Sequence, residues 1–291
     1  MSDNVRIAVI GGSGLYNMAG LTDVSERRID TPFGEPSDAV TIGTLDGVRV
    51  AFLARHGRGH RITPTEVNYR ANIYALKTLG VERIISVSAC GSLREHLRPG
   101  DVVVPDQLFD FTRDRARSFF GRGLVAHVSV AEPFCSELGE HLLAATRAAS
   151  EKSQVHRGGR LITIEGPRFS TRCESNTFRM WGMDAIGMTA APEAFLAREA
   201  EMCYAVMCHI TDYDVWHDTA EPVTVEMVVR RLHQNTALAQ QAIAGLVATL
   251  AAAPRTCHCG EAMAGALITE KTKIPDQTLS ELQPLIGRYL R

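Results

Sequence analysis

Short β-branched runs alternate along most of the chain with longer amphipathic segments. Residues 5–10, 40–44, 48–54, 83–87, 102–104, 160–164, 184–188 and 204–210 have the pattern of strands, most of them buried. Residues 134–150, 171–181, 192–201 and 223–250 have the spacing of helices. This alternation predicts an α/β fold, a single three-layer domain whose mixed, mainly parallel central sheet is flanked by helices.

Local signals refine this outline at two places. Asp46-Gly47 between two strand-like runs predicts a hairpin. Thr63, Pro64 and Glu66 have the order of an N-cap, a first helical residue and a capping box, so we expect a helix from there to about Thr78. The main domain is predicted to cover residues 1–253. Residues 254–291 form a C-terminal extension, expected to be helical and packed on the same domain.

Composition limits the classes of function. The 291 residues are 45% hydrophobic and carry a formal net charge of −2, which provides no electrostatic footprint for nucleic acid or an anionic membrane. The N-terminus has no signal-peptide pattern, and no apolar run is long enough to cross a bilayer. The seven cysteines are scattered, mostly in apolar stretches. We therefore expect a cytoplasmic protein with reduced thiols and with neither a membrane nor a nucleic-acid partner.

Four predicted strands end in small or polar residues. Their ends are Gly-Gly-Ser-Gly at 11–14, Arg55-His56-Gly57, Ser-Ala-Cys-Gly-Ser at 88–92 and Thr-Asp-Tyr-Asp at 211–214. Ligands of open α/β sheets bind at the carboxyl ends of strands, so these segments are expected to converge. Glycine amides and an arginine fork suit a phosphate group, although each motif alone is also compatible with an ordinary turn or an exposed loop.

Asp212 and Asp214 follow a very apolar predicted strand. At positions i and i+2 of an extended chain, both carboxyls would point to one side. Two like charges this close would raise the pKa of one of them and let it act as an acid near neutral pH. A capping aspartate beside a solvated one is the alternative.

Cys257-His258-Cys259 resembles a fragment of a metal site. Structural zinc needs four ligands, usually in spaced pairs, and the sequence indicates no second pair. We therefore expect no metal here, but a small disulfide or an inert tail.

In combination, the motifs resemble the methylthioadenosine phosphorylases of the trimeric purine nucleoside phosphorylase family. The resemblance covers about residues 7–250. Its matching stretches are GGSGLY at 11–16, RHGRGH at 55–60, SACGSLRE at 88–95, AEPFC at 131–135, TIEGPRFSTRCES at 163–175, MTAAPE at 188–193 and TDYDVW at 211–216. Ser13 and Ser88 stand where many relatives have threonine, which keeps the hydroxyl.

The resemblance implies a role for each matching position. Phosphate would be held by Gly12, Ser13, Arg55, His56, Ser88, the Ala89 amide and Thr189. The ribose would lie against Met188 near His60, and the purine near Phe169 and Ser170. Asp212 would donate to N7 of the base and Asp214 would accept from its 6-amino group. The 5′ substituent would face Val225, Val228 and Val229, with His127 reaching the substrate of a neighbouring subunit.

The implied reaction is phosphorolysis of 5′-methylthioadenosine to adenine and 5-methylthioribose 1-phosphate. Inorganic phosphate would be the co-substrate, with no metal or organic cofactor, in a homotrimer or dimer of trimers. Three alternatives stay open: a phosphorylase for 6-oxopurine nucleosides or methylthioinosine, a non-enzymatic nucleoside-binding protein, and an NAD(P)-dependent oxidoreductase. The last depends on an imperfect glycine fingerprint in which Asn17 stands at the third glycine position.

Overall fold

The computed structural model describes residues 5–12, 14, 15, 18, 20–217 and 225–290, with residues 225–234 described by their backbone alone. The strands of this part are β1 (Ile7–Gly11), β2 (Thr22–Arg27), β3 (Val40–Leu45), β4 (Val48–Ala54), β5 (Arg83–Ser92), β6 (Val102–Val104), β7 (Gln107–Phe111), β8 (Val155–Arg157), β9 (Arg160–Ile164), β10 (Ala185–Gly187) and β11 (Cys203–Asp212). The helices are α1 (Tyr69–Thr78), α2 (Ser136–Ala149), α3 (Arg172–Met180), α4 (Ala190–Glu199), α5 (Val225–Ala252) and α6 (Asp276–Ile286).

All these strands belong to one mixed sheet that divides at β5. Its main path is β2-β3-β4-β1-β5-β10-β9-β7, and β11 also pairs with β5 before the sheet continues through β6 to β8. The pairs β4-β1, β1-β5 and β5-β11 are parallel, whereas β3-β4 and β5-β10 are antiparallel. The predicted fold class is confirmed. Parallel pairing places the carboxyl ends of β4, β1, β5 and β11 at one edge.

Two hydrophobic clusters cover the two faces of the sheet. Residues of α1 and α4 pack with Ile10 and Ile84 on one face, and residues of α2 and α5 pack with Val9 and Ile85 on the other. Neighbouring residues of one strand thus face opposite clusters, as the two-residue period of a strand requires. This gives the expected three layers.

The predicted start of the first helix is wrong. Thr63 and Glu66 do exchange the bonds of a capping box, since the Thr63 amide donates to Glu66 and the Glu66 amide donates to the Thr63 hydroxyl. However, only a turn follows, and α1 begins at Tyr69 after an Asn68 N-cap. Among the strands that the sequence did not predict, β2 is exposed along its whole length, so its residues show no apolar alternation.

The C-terminal segment packs on the same face of the sheet as α1. Met263, Leu282 and Ile286 are buried in the same cluster as Ile73 of α1. The Tyr74 hydroxyl donates to the Glu281 carbonyl, which adds a polar contact between α1 and α6. The boundary at residue 253 stays a prediction. Within the described residues, none of the helices is long and apolar enough to cross a membrane.

Candidate active site

Hydroxyl groups from two different elements meet at the carboxyl edge of the sheet. Ser88 lies in β5 and Thr189 is the N-cap of α4, and their side-chain oxygens are 3.3 Å apart. The Thr189 hydroxyl makes no capping bond. Gly12 directly follows β1, the strand that pairs with β5. Ala89, next to Ser88 in the sequence, is half-buried. Ser13 lies outside the described residues.

Most hydrogen-bond donors of the Arg55 guanidinium already have partners within the protein. Its guanidinium is buried and forms a bidentate ion pair with Glu193, with Nε–Oε2 and Nη2–Oε1 distances of 2.8 and 2.9 Å. Further bonds reach the Ser86 hydroxyl and the Val87 carbonyl. Burial alone would lower the pKa of Arg55, but Glu193 outweighs it and holds that pKa above the ordinary value. Most of the guanidinium donors are thus bonded to Glu193 and to the strand below, and the expected contact of Arg55 with phosphate stays a prediction.

His56 stands beside the buried arginine and stacks on His60. The ring centroids are 4.4 Å apart, and Nδ1 of His56 lies 2.9 Å from the Ile62 carbonyl oxygen. Burial and the charge of Arg55 lower the pKa of His56 to about 4, so the ring is neutral at pH 7. A carbonyl can only accept, so Nδ1 carries the proton and Nε2 is an acceptor. In this state Nε2 of His56 can accept a hydrogen bond from a phosphate hydroxyl, and the expected contact of His56 with phosphate stays a prediction.

The two aspartates lie together at the end of β11, although not in an extended chain. A bulge interrupts the pairing of β11 between Ile210 and Asp212, and Asp214 has a φ of +52° in the following turn. The Asp214 amide donates to Oδ1 of Asp212 over 2.8 Å, and the Thr211 hydroxyl donates to Oδ2 over 2.6 Å. A turn held by hydrogen bonds, and not strand alternation, therefore places the pair.

One carboxyl of the pair has a raised pKa, as predicted, but the main cause differs. Burial raises the pKa of Asp214 to about 6, opposed by the Ser175 hydroxyl, and the charge of Asp212 adds a smaller increase. At pH 7 a group with this pKa is mostly ionised. Asp214 is therefore a hydrogen-bond acceptor at neutral pH and becomes a donor in mildly acidic solution.

Gly91 of β5 makes room for both carboxyls. A Cβ at this position would lie 3.0 Å from Oδ1 of Asp212 and 3.3 Å from Cβ of Asp214. It would also lie 2.9 Å from Cγ2 of Ile186, a contact too short for ordinary packing. The close approach of the β11 turn to β5 thus depends on the absence of a side chain at residue 91.

The expected purine-binding residues lie on the segment between β9 and α3. Phe169 is exposed, whereas Ser170 is buried and its hydroxyl has no hydrogen-bond partner within the described part of the chain. Ser170 lines a cleft of about 240 Å³ together with Phe111, Ile164, Glu165, Arg168 and Phe178, among others. Gly12 lines a much smaller cavity of about 20 Å³ with His209 and Asn235. Of the expected base-binding residues, Ser170 lines this cleft, and the role of the cleft in binding a base stays a prediction.

The remaining predicted site residues are His127 and three valines of α5. His127 is exposed, and its backbone amide donates to the Ala266 carbonyl of the C-terminal segment. Val225, Val228 and Val229 begin α5, and their side chains lie outside the described residues. The proposed contacts of these four residues with a 5′ substituent stay predictions.

Arg115 was missed by the sequence analysis. Its buried guanidinium donates over 2.8 Å to the carbonyls of both Met188 and Ala191, which flank Thr189. Glu165 pairs with Arg115 over 3.0 Å, and bonds from Thr65, the Arg113 amide and Arg115 overcome partial burial to lower the pKa of Glu165 to about 2. Arg115 thereby fixes the backbone on both sides of Thr189. It lies in a polar loop without a local pattern, so no sequence signal identified it.

Glu193 was also missed, although it ends the MTAAPE stretch. Its side chain is fully buried and accepts from the Tyr204 hydroxyl over 2.7 Å in addition to its bonds with Arg55. A glutamate in a mainly apolar helix is a signal that a buried partner exists. The fold thus places two hydroxyl groups and a carboxyl pair beside the central sheet, an arrangement typical of α/β enzymes.

The comparisons with known proteins identify the family. The chain belongs to the phosphorylase superfamily, whose model matches residues 6–251. An S-methyl-5′-thioadenosine phosphorylase of Geobacter sulfurreducens is 53% identical over 98% of this chain and 99% of its own. One from Hyperthermus butylicus is 52% identical over 87% of this chain and 91% of its own.

Solved structures are similar over nearly the whole chain. A methylthioadenosine phosphorylase from an antarctic soil metagenomic library superposes with a TM-score of 0.93 and 48% identity, over 97% of this chain and 99% of the other. An adenosine/methylthioadenosine phosphorylase mutant from Schistosoma mansoni, in complex with adenine, has a TM-score of 0.84 and 39% identity, over 89% and 96%. The resemblance predicted from the motifs is confirmed, and the protein is an enzyme of this family.

Proposed function

We propose that this enzyme catalyses the reversible phosphorolysis of 5′-methylthioadenosine to adenine and 5-methylthioribose 1-phosphate. The observation that carries the proposal is the spacing of two groups along β5. Ser88 contacts Thr189, and Gly91, three residues further on, lies so near the aspartate pair that a Cβ there would be 3.0 Å from Oδ1 of Asp212. Three strand residues span about 10 Å. This separation leaves room for a ribose ring between a phosphate at one end and a purine at the other.

The phosphate would occupy the end marked by Ser88 and Thr189. Their hydroxyls, the amides near Gly12 and Ala89, and the expected Ser13 hydroxyl are donors for its oxygens. Arg55 would contribute its positive charge from below, while its ion pair with Glu193 keeps it in place. His56 would accept a hydrogen bond at Nε2 from the hydroxyl of a singly protonated phosphate.

Bond cleavage would depend on electrostatics and positioning. As the glycosidic bond stretches, positive charge develops on the ribose, and an oxygen of the phosphate beneath C1′ stabilises it and then bonds to it. The electron pair of the broken bond passes to the purine, and a proton to N7 completes the leaving group. Met188, held by Arg115, would support the ribose next to His60.

The base would be recognised by the carboxyl pair and by the segment that contains Phe169 and Ser170. Asp214, mostly ionised at pH 7, would accept from the 6-amino group, and the buried Ser170 hydroxyl would gain a partner. Both oxygens of Asp212 accept hydrogen bonds, from the Thr211 hydroxyl and the Asp214 amide, so the N7 proton would come from solvent and reach the base through Asp212 or through a water molecule. A 6-oxo base would place an acceptor against the Asp214 carboxylate, which disfavours inosine-type substrates.

We further propose a homotrimer, or a dimer of trimers, in the cytoplasm. Exposed His127 would then reach the 5′ end of the substrate in a neighbouring subunit, and the first turn of α5 would cover the methylthio group with valine side chains. Inorganic phosphate would be the co-substrate, without a metal or organic cofactor in the reaction.

Product analysis with four nucleosides tests the proposal. Methylthioadenosine, adenosine, methylthioinosine and inosine are incubated with the enzyme, each with and without phosphate. We expect adenine and a sugar phosphate from methylthioadenosine, and only when phosphate is present. Undiminished base release without phosphate would indicate a hydrolase. Binding without any base release would indicate a nucleoside-binding protein.

A further inference from the structure

Four cysteines from distant parts of the chain meet at the end of the sheet opposite the candidate active site. Cys135 is the N-cap of α2, Cys203 is the first residue of β11, and Cys257 and Cys259 belong to the C-terminal segment. All four sulfur atoms lie within 4.8 Å of one another. The second pair that the sequence analysis did not find is therefore present, contributed by α2 and β11.

The surrounding backbone holds these side chains in position. The Cys135 amide donates to the Tyr204 carbonyl over 2.9 Å, which ties the start of α2 to the start of β11. Glu137 accepts from the Thr256 amide over 2.9 Å and also from the Cys257 amide. The cluster is thus fixed on both sides by contacts that do not involve sulfur.

The spacing fits a tetrahedral thiolate site. Zinc–sulfur bonds of about 2.3 Å place the four sulfurs of a tetrahedron roughly 3.8 Å apart. Here the Cys203 and Cys257 sulfurs are 3.3 Å apart, and the widest separation in the cluster does not exceed 4.8 Å. Small side-chain rotations would reach the tetrahedron. Four sulfur donors without carboxylate or imidazole favour a soft tetrahedral ion, of which Zn²⁺ is the common structural example.

The charges beside the cluster match such a site. Nη1 of Arg198 lies 3.3 Å from the Cys259 sulfur, and Arg255 contacts Cys257. Four thiolates with one Zn²⁺ carry a net charge of −2, which two guanidinium groups balance. The Leu138 amide also donates to the Cys135 sulfur over 3.4 Å, an interaction that favours a thiolate at a helix N-terminus.

We propose that Cys135, Cys203, Cys257 and Cys259 form a structural zinc site that fastens the C-terminal extension to the body of the domain. Cys203 and Asp212 stand at opposite ends of β11, about 30 Å apart for a strand of this length. The metal would therefore take no part in the reaction. Its binding free energy would stabilise the docked extension, because the complete ligand set exists only in the folded chain.

Metal analysis of the full-length enzyme tests this site directly. We expect about one zinc ion per chain in protein purified without added metal. Cys257→Ser removes one ligand, and losing a ligand should cost at least the ~10–100-fold in affinity that losing an outer contact costs. The matched control is Cys173→Ser, since Cys173 is exposed on α3 and lies outside the cluster. The control should retain its zinc.

Stability and spectroscopy supply further readouts. A strong chelator should lower the midpoint of thermal unfolding of the wild type and of Cys173→Ser, but not that of Cys257→Ser, while kcat changes little in the folded enzyme. Cobalt substitution should produce the intense visible absorption of a tetrahedral thiolate complex.

Three results would overturn the proposal. One is a disulfide among these cysteines, detected as a mass shift after alkylation without reductant. Another is four alkylatable thiols in freshly purified, metal-free protein that also fails to bind added zinc. The third is zinc loss in both serine variants alike. The measurements on the wild type decide the matter even if Cys257→Ser does not fold.

Discussion

The buried ion pair between Arg55 and Glu193 provides a direct test of the proposed phosphate site. Both side chains are almost fully inaccessible, at 3% and 0% exposure. Glu193→Leu would leave the Arg55 charge buried beside the Ser86 hydroxyl and main-chain carbonyls. Arg55→Met combined with Glu193→Leu would remove both charges and keep roughly the original volume.

The two variants should differ clearly in stability. Removing one partner of a buried pair costs about 3–5 kcal/mol, because the other charge stays desolvated. Replacing the whole pair by apolar groups is often close to neutral. In this case the Tyr204 hydroxyl loses its acceptor, which adds roughly 1–3 kcal/mol. We therefore expect the single variant Glu193→Leu to be less stable than the double variant, although the double variant carries more changes.

Urea unfolding at one fixed protein concentration measures this difference, and steady-state kinetics measures the role in catalysis. The double variant should raise the KM for phosphate about tenfold or more, the equivalent of a charge-assisted bond of ~1.5–3 kcal/mol. The KM for the nucleoside should change little. Glu140→Gln, at the exposed pair of Glu140 with Arg157, is the control and should leave the midpoint of urea unfolding almost unchanged.

Two outcomes would refute this reasoning. If Glu193→Leu unfolds at the same urea concentration as the wild type, the pair does not stabilise this end of the sheet. If the double variant raises the KM for nucleoside as much as the KM for phosphate, Arg55 does not act on the phosphate.

Three further predictions concern the base and the 5′ substituent. Because Asp214 has a raised pKa of about 6, its acceptor form is lost as pH falls through 6, and kcat/KM of the wild type for methylthioadenosine should fall with it. Asp214→Asn should remove this pH dependence and shift the preference toward inosine. Parallel pH profiles for wild type and variant would contradict this prediction. Gly91→Ala should lower kcat/KM at least about tenfold, because the new Cβ would displace Asp212. The control is Gly245→Ala, which has open space around its Cβ; it should leave activity unchanged and stabilise α5 by up to ~1 kcal/mol. Equal kinetics for both variants would contradict the steric argument. The kcat/KM of the wild type should be roughly 10–200-fold higher for methylthioadenosine than for adenosine. Val228→Asp should reduce this ratio, mainly by lowering kcat/KM for methylthioadenosine. An unchanged ratio in a folded variant would show that α5 does not line the pocket for the 5′ substituent.

Much of the fold followed from patterns between near neighbours in the chain. The apolar period separates strands from helices because each element must bury one face or stripe. The hairpin at Asp46-Gly47 followed for the same local reason, since both residues adopt the positive φ that such a turn requires. The exposed strand β2 escaped prediction because neither of its faces is buried.

The location of the candidate site was also accessible from the sequence, whereas its electrostatics were not. The sequence indicated polar residues near the ends of buried strands, and Ser88 and Thr189 do meet. Their contact nevertheless depends on the tertiary fold, because Ser88 lies within β5 and Thr189 follows β10, which is antiparallel to β5. The pKa of Asp214, however, depends on how deeply the turn after β11 is buried. The guanidinium of Arg55 is bonded to Glu193, which is 138 residues away in the sequence.

The sequence alone therefore determined most of the segments that become strands and helices, and which polar residues stand near the ends of the buried strands. Only the tertiary structure decided which side chains share a buried environment, as it did for Glu193 with Arg55 and for Cys135 and Cys203 with the Cys257-His258-Cys259 segment. The physical reason is range. Periodicity and turn chemistry act between residues a few positions apart, but desolvation and Coulomb interactions depend on distances in space that the packing of the whole chain sets.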